Sequence, residues 1–123
     1  MPRAIAIATC GELPDLDEDE CTFLDALVEL GAEATPAVWD DPSIDWSTFD
    51  AVVLRATWDY SRRIDEFIAW TRHVASVSVL MNPADVVKWN TDKRYLTDLS
   101  AAGVPIVPTV FVELPRSSSD AIA

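Results

Sequence analysis

The stretch "LRATWDYSRR" brings together side chains that could bind a small charged molecule. Arg55, Thr57, Trp58, Asp59 and Tyr60 stand at or just beyond the end of an apolar run. An arginine can hold a carboxylate through two parallel hydrogen bonds, and an aspartate can hold an ammonium group. Together they suit a zwitterionic, amino-acid-like ligand. In the alternative interpretation, Arg55 pairs with a local acid while Trp58 and Tyr60 cover the end of a sheet.

The elements that must position these residues follow an alternating pattern. Short apolar segments bounded by turn residues predict strands at residues 4–8, 33–39, 51–55 and 77–81. Helices are predicted between Asp15 and Gly31, over residues 64–74 and over residues 92–102. This alternation indicates an α/β fold, an open and mostly parallel Rossmann-like sheet with helices on both faces. Because such sheets bind ligands beyond the carboxyl ends of their strands, the segments after strands one and three are the informative ones.

The segment after strand one contributes two candidate ligand contacts, Thr9 and Cys10, at the mouth of the strand. It continues as "GELPDLDEDE", which holds six acids in ten residues. Acids in the first turn complement the helix dipole, so a solvated helix start is the favoured interpretation and no metal site is expected. Cys10 is not expected to be a nucleophile, because the one histidine, His73, lies far along the chain.

The composition excludes several classes of partner. With 9 basic and 21 acidic residues the net charge is −12, which disfavours nucleic acid. No run approaches the roughly 18 apolar residues of a membrane span. Two cysteines without an export signal indicate reduced thiols and a cytoplasmic location. The only glycines are Gly11, Gly31 and Gly103, so neither a dinucleotide fingerprint nor a phosphate-binding P-loop is present.

A second candidate binding feature is "NTDKRYLTDLSAAGVPIVPT", residues 90–109. Lys93 falls in the first turn of a predicted helix, where a positive charge opposes the helix dipole. A helix start with free N–H groups and a lysine is a reasonable anion site. Taken by itself, the stretch favours the alternative of an ordinary surface lysine.

The order of a βαβ-type domain followed by "LMNPADVVKWNTDKRYLTDLSAAGVPIVPT" resembles the N-terminal region of ATP-grasp ligases. In that family an Asp-Lys pair starts a helix, and a Gly-Val-Pro segment ending in Pro-Thr leads into the nucleotide-binding domain. With "LRATWDY" included, the chain is similar to the subgroup related to glutathione synthetase, the RimK-type ligases and the cycloserine-pathway ligase that cyclises O-ureido-D-serine.

The resemblance implies roles for particular residues. It places Lys93 near the nucleotide phosphates, and it places Thr9, Cys10 and residues 55–60 on the acceptor-substrate side. In the family, ATP phosphorylates a carboxylate, an amine attacks the acyl phosphate, and Mg²⁺ neutralises the phosphates. Residues 1–89 are then the pre-ATP-grasp domain, residues 90–114 a linker helix and a strand leading into the ATP-grasp fold, and residues 115–123 a disordered tail.

The family's second ATP-binding lysine, its Gly-rich loop and its metal ligands have no counterpart after Thr109. We therefore expect a truncated gene product, an excised domain or one piece of a split ligase, which catalyses no ligation by itself and binds neither ATP nor Mg²⁺ tightly. The expected partners are an amino-acid-like small molecule and either a separate ATP-grasp chain or a second copy of this chain. The alternative is a non-catalytic amino-acid-binding or interaction module derived from such a ligase.

Overall fold

The computed structural model describes residues 1–114, and the tail predicted for residues 115–123 lies outside the described residues. The chain divides into two compact units, Met1–Thr91 and the residues from Asp92 onward. The first unit holds a parallel sheet with the strand order β2-β1-β3-β4. The strands are β1 Ala4–Thr9, β2 Glu33–Val38, β3 Ala51–Ala56 and β4 Val79–Met81. The helices are α1 Glu18–Glu29, α2 Ile64–Val77, α3 Ala84–Thr91 and, in the second unit, α4 Tyr95–Ala101.

The predicted α/β class, with a parallel sheet covered on both faces, is confirmed. Alternate residues of β1 point to opposite sides, so the strand is buried by two separate apolar clusters. Ala6 and Ala8 pack with Phe67 of α2, whereas Ile7 packs with Leu24 of α1. The near-continuous apolar run of β1 therefore reflects burial on both faces of the sheet.

Helix α1 begins two residues later than the sequence predicts. Asp17, rather than Asp15, is the N-cap, and its carboxylate accepts the N–H of Glu20 at 2.9 Å. Leu16 has a φ of 68°, so the chain is still turning where a cap at Asp15 would require helix. The helix ends as predicted at Gly31, whose φ of 92° is the left-handed conformation that glycine adopts without strain.

Two boundaries near the end of the first unit also differ from the sequence prediction. Helix α2 continues to Val77, so β4 begins only at Val79. In the second unit α4 begins at Tyr95, after a turn in which Asp92 accepts the N–H of Arg94 at 3.0 Å. Residues 104–114 carry neither helix nor strand, and the strand predicted for that segment stays a prediction.

Candidate functional site

The carboxyl edge of β1 and β3 is where the order of strands reverses along the chain. The chain places β2 on one side of β1 and then β3 on the other, which makes this edge the switch point of the sheet. The register shifts here: Ala8 pairs with Leu54, but Thr9 pairs with Ala56, so Arg55 lies in a bulge. The two loops that the sequence singles out therefore leave neighbouring strands side by side.

Three of the predicted contact residues are buried at this edge of the sheet. Thr9 is fully buried, and its hydroxyl donates to the carbonyl of Leu13 at 2.7 Å. Cys10 is buried in the cluster under α2, and Thr57 is buried at the start of the next loop. These side chains pack beneath the loops that leave the edge, and direct ligand contact by them stays a prediction.

Arg55 is paired with a local acid. Its Nε donates to Glu20 Oε2 at 2.7 Å and its Nη2 to Glu20 Oε1 at 3.0 Å, the two-bond arrangement typical of arginine and carboxylate. The guanidinium also lies 4.8 Å from the ring centre of Phe23. The hydrogen bonds that Arg55 donates to Glu20 raise the pKa of Arg55. A ligand carboxylate would have to compete with Glu20 for the Nε and Nη2 edge of this guanidinium.

Asp59 and Tyr60 are also engaged within the protein. Asp59 accepts the indole N–H of Trp39 at 2.9 Å and lies 3.7 Å from Arg63. The Tyr60 ring lies 5.3 Å from that of Phe67. Tyr60 thus covers the sheet end, as the alternative interpretation of this stretch describes.

Beside this edge, α2 and the loop after β2 build an aromatic cluster of Trp39, Trp46, Phe67 and Trp70. Its ring centres lie between 5.2 and 6.0 Å apart, and its members are nine-tenths or more buried. Such pairs add about 0.5–1.5 kcal/mol each beyond their buried area. A depression of about 350 Å³ lies over the cluster.

Arg63 lines this depression and forms ion pairs with acids from two different elements. Its guanidinium bonds to Asp40 and to Glu66 and lies 4.8 Å from the ring centre of Trp39. The hydrogen bonds that Arg63 donates to Glu66 and Asp40 raise the pKa of Arg63, and the bond to Glu66 lowers the pKa of that carboxyl. The depression is lined by three carboxylates, Asp40, Asp41 and Glu66, and its arginine is already paired with two of them, so it offers an acidic ligand group little attraction.

A smaller cavity, the edge cavity, differs in that most of its polar side chains are unpaired within the described residues. It measures about 180 Å³ and is lined by Glu12 from the loop after β1 and by Trp58, Asp59, Ser61 and Arg62 from the 3-10 turn after β3. Trp58 is 59% exposed. Within residues 1–114, the side chains of Glu12, Ser61 and Arg62 make no hydrogen bond, ion pair or ring contact.

Three residues that line this cavity were not predicted from the sequence: Glu12, Ser61 and Arg62. Glu12 was hidden in a run of acids that also caps α1, and Arg62 stood in a basic doublet with Arg63. A signal was available, since Glu12 precedes the N-cap Asp17 by five residues and is not needed for the helix start.

Lys93 lies in the second unit, just before α4. Its ammonium nitrogen lies 5.8 Å from the ring centre of Tyr95. Across residues 1–114, no group of three or more His, Cys, Asp or Glu side chains could hold a metal ion. None of the helices in that range combines the length and apolar character that spanning a membrane requires.

The fold and the edge define a small parallel α/β domain that presents charged loops at the switch point of its sheet. Residues 5–82 match the family described as the N-terminal domain of D-cycloserine synthetase DcsG, and the chain belongs to that family. The resemblance drawn from the sequence is confirmed at this level.

Two relatives extend the match. The chain is 40% identical over 119 residues to the cycloserine biosynthesis protein DcsG of Streptomyces lavendulae, covering 97% of this chain and 39% of that protein. It also superimposes on the crystal structure of D-cycloserine synthetase DcsG with a TM-score of 0.79 and 39% identity, over 85% of this chain and 35% of that one. The chain thus spans about two fifths of the length of the curated relative that it matches.

Proposed function

We propose that this chain provides the substrate-side domain of an ATP-dependent carboxylate–amine or cyclising ligase, and that its sheet edge binds an amino-acid-like molecule. The edge cavity is the observation that carries the proposal. There an arginine and a glutamate without internal partners meet an exposed indole at the switch point of the sheet. The family match supports a small substrate of this class, because cycloserine is itself a cyclised serine derivative.

The contribution of the domain is positioning. Charged groups fixed on loops that leave rigid neighbouring strands can hold a small substrate in one orientation. Orienting a substrate in advance lowers the entropic part of a reaction barrier. Thr9, Cys10 and Thr57 support these loops from below, because they are buried where the loops begin.

The nucleotide side of the reaction belongs to the complete enzyme. In this proposal Lys93 approaches the phosphates of ATP, and Mg²⁺ supplies charge neutralisation when it is bound. The described residues contain no cluster that could hold Mg²⁺, so we assign no step involving ATP or the metal to them. In this proposal a separate ATP-grasp chain carries that chemistry.

We also propose a cytoplasmic setting. Cys10 and Cys21 are both free, and Cys10 is buried in the core. Free thiols of this kind suit a reducing compartment. The net charge of −12 agrees with a small-molecule partner rather than a nucleic acid.

Calorimetric titration of the chain with D-serine and other small amino acids tests the binding proposal. We expect saturable binding, and no turnover when ATP and Mg²⁺ are added to the chain by itself. Turnover under those conditions would contradict the proposed division of labour. Absence of binding across the amino acids would contradict the substrate-side role and would favour an interaction module.

A further inference from the structure

We infer that Arg62 and Glu12 recognise the two charges of a zwitterionic amino acid in the edge cavity, Arg62 taking the carboxylate and Glu12 the ammonium group. Arg55 is then a structural residue. The inference rests on the proposed function, namely that this edge binds an amino-acid-like molecule, and it names the residues that read the ligand's charges.

The assignment of Arg62 comes from comparing the three arginines at the end of β3. Arg55 is bound by both oxygens of Glu20, and Arg63 is held by Asp40 and Glu66. Arg62 makes no ion pair or hydrogen bond within residues 1–114. A ligand carboxylate binds Arg62 without displacing a protein acid, whereas at either of the other two it must compete with a carboxylate already in place.

The same comparison separates the two acids of the cavity. Asp59 accepts a hydrogen bond from Trp39 and lies 3.7 Å from Arg63, so its charge is partly offset. Glu12 has no such neighbour in the described residues. Glu12 and Arg62 line the same cavity without an ion pair between them, which leaves the space between opposite charges to a ligand that carries both.

The cavity's size and its indole agree with a small amino acid. A volume of about 180 Å³ gives room for a small amino acid. Trp58 is 59% exposed and offers an aromatic face on which an ammonium group can rest. Ser61 adds a hydroxyl able to donate or accept a hydrogen bond.

The test is a set of calorimetric titrations with three probes. D-serine carries both charges, D-serine amide lacks the carboxylate, and N-acetyl-D-serine lacks the ammonium group. The proteins are wild type, Arg62→Gln, Glu12→Gln and Arg55→Gln. Denaturant midpoints establish that each variant is folded, and Arg62→Gln and Glu12→Gln remove no hydrogen bond or ion pair formed within residues 1–114.

We expect Arg62→Gln to weaken D-serine binding by about tenfold or more, the usual effect of losing a hydrogen bond between charged groups. The same change should leave binding of the amide as it is in wild type. Glu12→Gln should weaken D-serine similarly and leave N-acetyl-D-serine unaffected. Arg55→Gln should change D-serine binding by less than about twofold.

The outcomes separate the inference from the proposed function. If wild type binds D-serine, but Arg55→Gln abolishes binding and Arg62→Gln does not, the inference is wrong and the proposed function stands. An equal loss for D-serine and its amide in Arg62→Gln also overturns the inference, because the carboxylate would not be the group recognised. If wild type binds none of the probes, the proposed function fails and the inference fails with it.

Discussion

Arg62 and Arg63 are adjacent in the sequence, yet they line different cavities and differ in whether they form ion pairs within the described part of the protein. Arg63 lies over Trp39 and pairs with Asp40 and Glu66 above the aromatic cluster. Arg62 lines the edge cavity and has no internal partner within residues 1–114. Both regions combine tryptophan, acid and arginine, so composition does not distinguish them. What differs is whether the fold supplies the counter-charge, and a charge without one is available to a ligand.

The largest effect predicted by this comparison concerns two tryptophans. Trp39→Ala should lower the free energy of unfolding by about 3–5 kcal/mol, the usual cost of truncating a buried aromatic residue. Trp39 is 3% exposed, packs against Phe67 and Trp70, and donates a hydrogen bond to Asp59. Urea unfolding followed by circular dichroism measures the change.

Trp58→Ala is the matched control for this change. Its ring is 59% exposed in the edge cavity, so the free energy of unfolding should change by no more than about 0.5 kcal/mol. Comparable losses in the two variants would show that Trp58 is part of the core and would remove the distinction between the regions. If Trp39→Ala is unfolded outright, Trp39→Phe gives a smaller, measurable loss in the same direction.

The second predicted effect is a difference in stability between variants of Arg63 and Arg62. Arg63→Gln should lower the urea midpoint, because it removes the partner of Asp40 and Glu66 and leaves two acids close together. Arg62→Gln should leave the midpoint unchanged, because the side chain makes no hydrogen bond or ion pair within residues 1–114. Raising the salt concentration should reduce the difference in urea midpoint between Arg63→Gln and wild type, since screening weakens exposed ion pairs. Equal midpoints for the two variants would contradict the contrast.

Much of this architecture could be predicted from the sequence, because β1 and β3 are continuous apolar runs that end in turn residues. The mostly parallel sheet, and the importance of the loops that leave these two strands, follow from the alternation of strands and helices. The pairing of Arg55 could not be predicted in this way. It depends on a register shift beside Thr9 and on Glu20, which lies 35 residues earlier. The lack of an ion-pair partner for Arg62 within residues 1–114 could not be predicted either. It depends on the tertiary fold, which places Asp40 and Glu66 beside Arg63.

A smaller effect is expected where Arg55 meets α1. Arg55→Gln should cost less than about 1 kcal/mol, because the side chain is 43% exposed and exposed ion pairs contribute little. Glu20→Gln should cost a similar amount, and the double variant should cost less than the sum, as expected of residues in direct contact. Additive losses in urea unfolding would show that the two side chains do not stabilise each other in solution.

The smallest effect is the contribution that the loop beside the aromatic cluster makes to the pH dependence of stability. Asp41 and Asp45 accept bonds from the hydroxyl groups and N–H groups of Ser43 and Ser47, and these bonds lower the pKa of both carboxyls below their ordinary value of 3.8. A carboxyl whose pKa is lower in the folded state stabilises the fold above its ordinary pKa, and this contribution is lost as the pH falls through the folded value.

The urea midpoint of wild type should therefore fall as the pH drops below about 4, and the double variant Asp41→Asn, Asp45→Asn should show a shallower decline. Asparagine keeps an oxygen that accepts the same bonds but does not titrate in this range. Glu12→Gln in the edge cavity is the matched control, because that carboxylate makes no internal bond. If Glu12→Gln flattened the profile as much as the double variant does, acid sensitivity would not follow the bonded carboxylates, and the contrast between the two regions would not extend to pH.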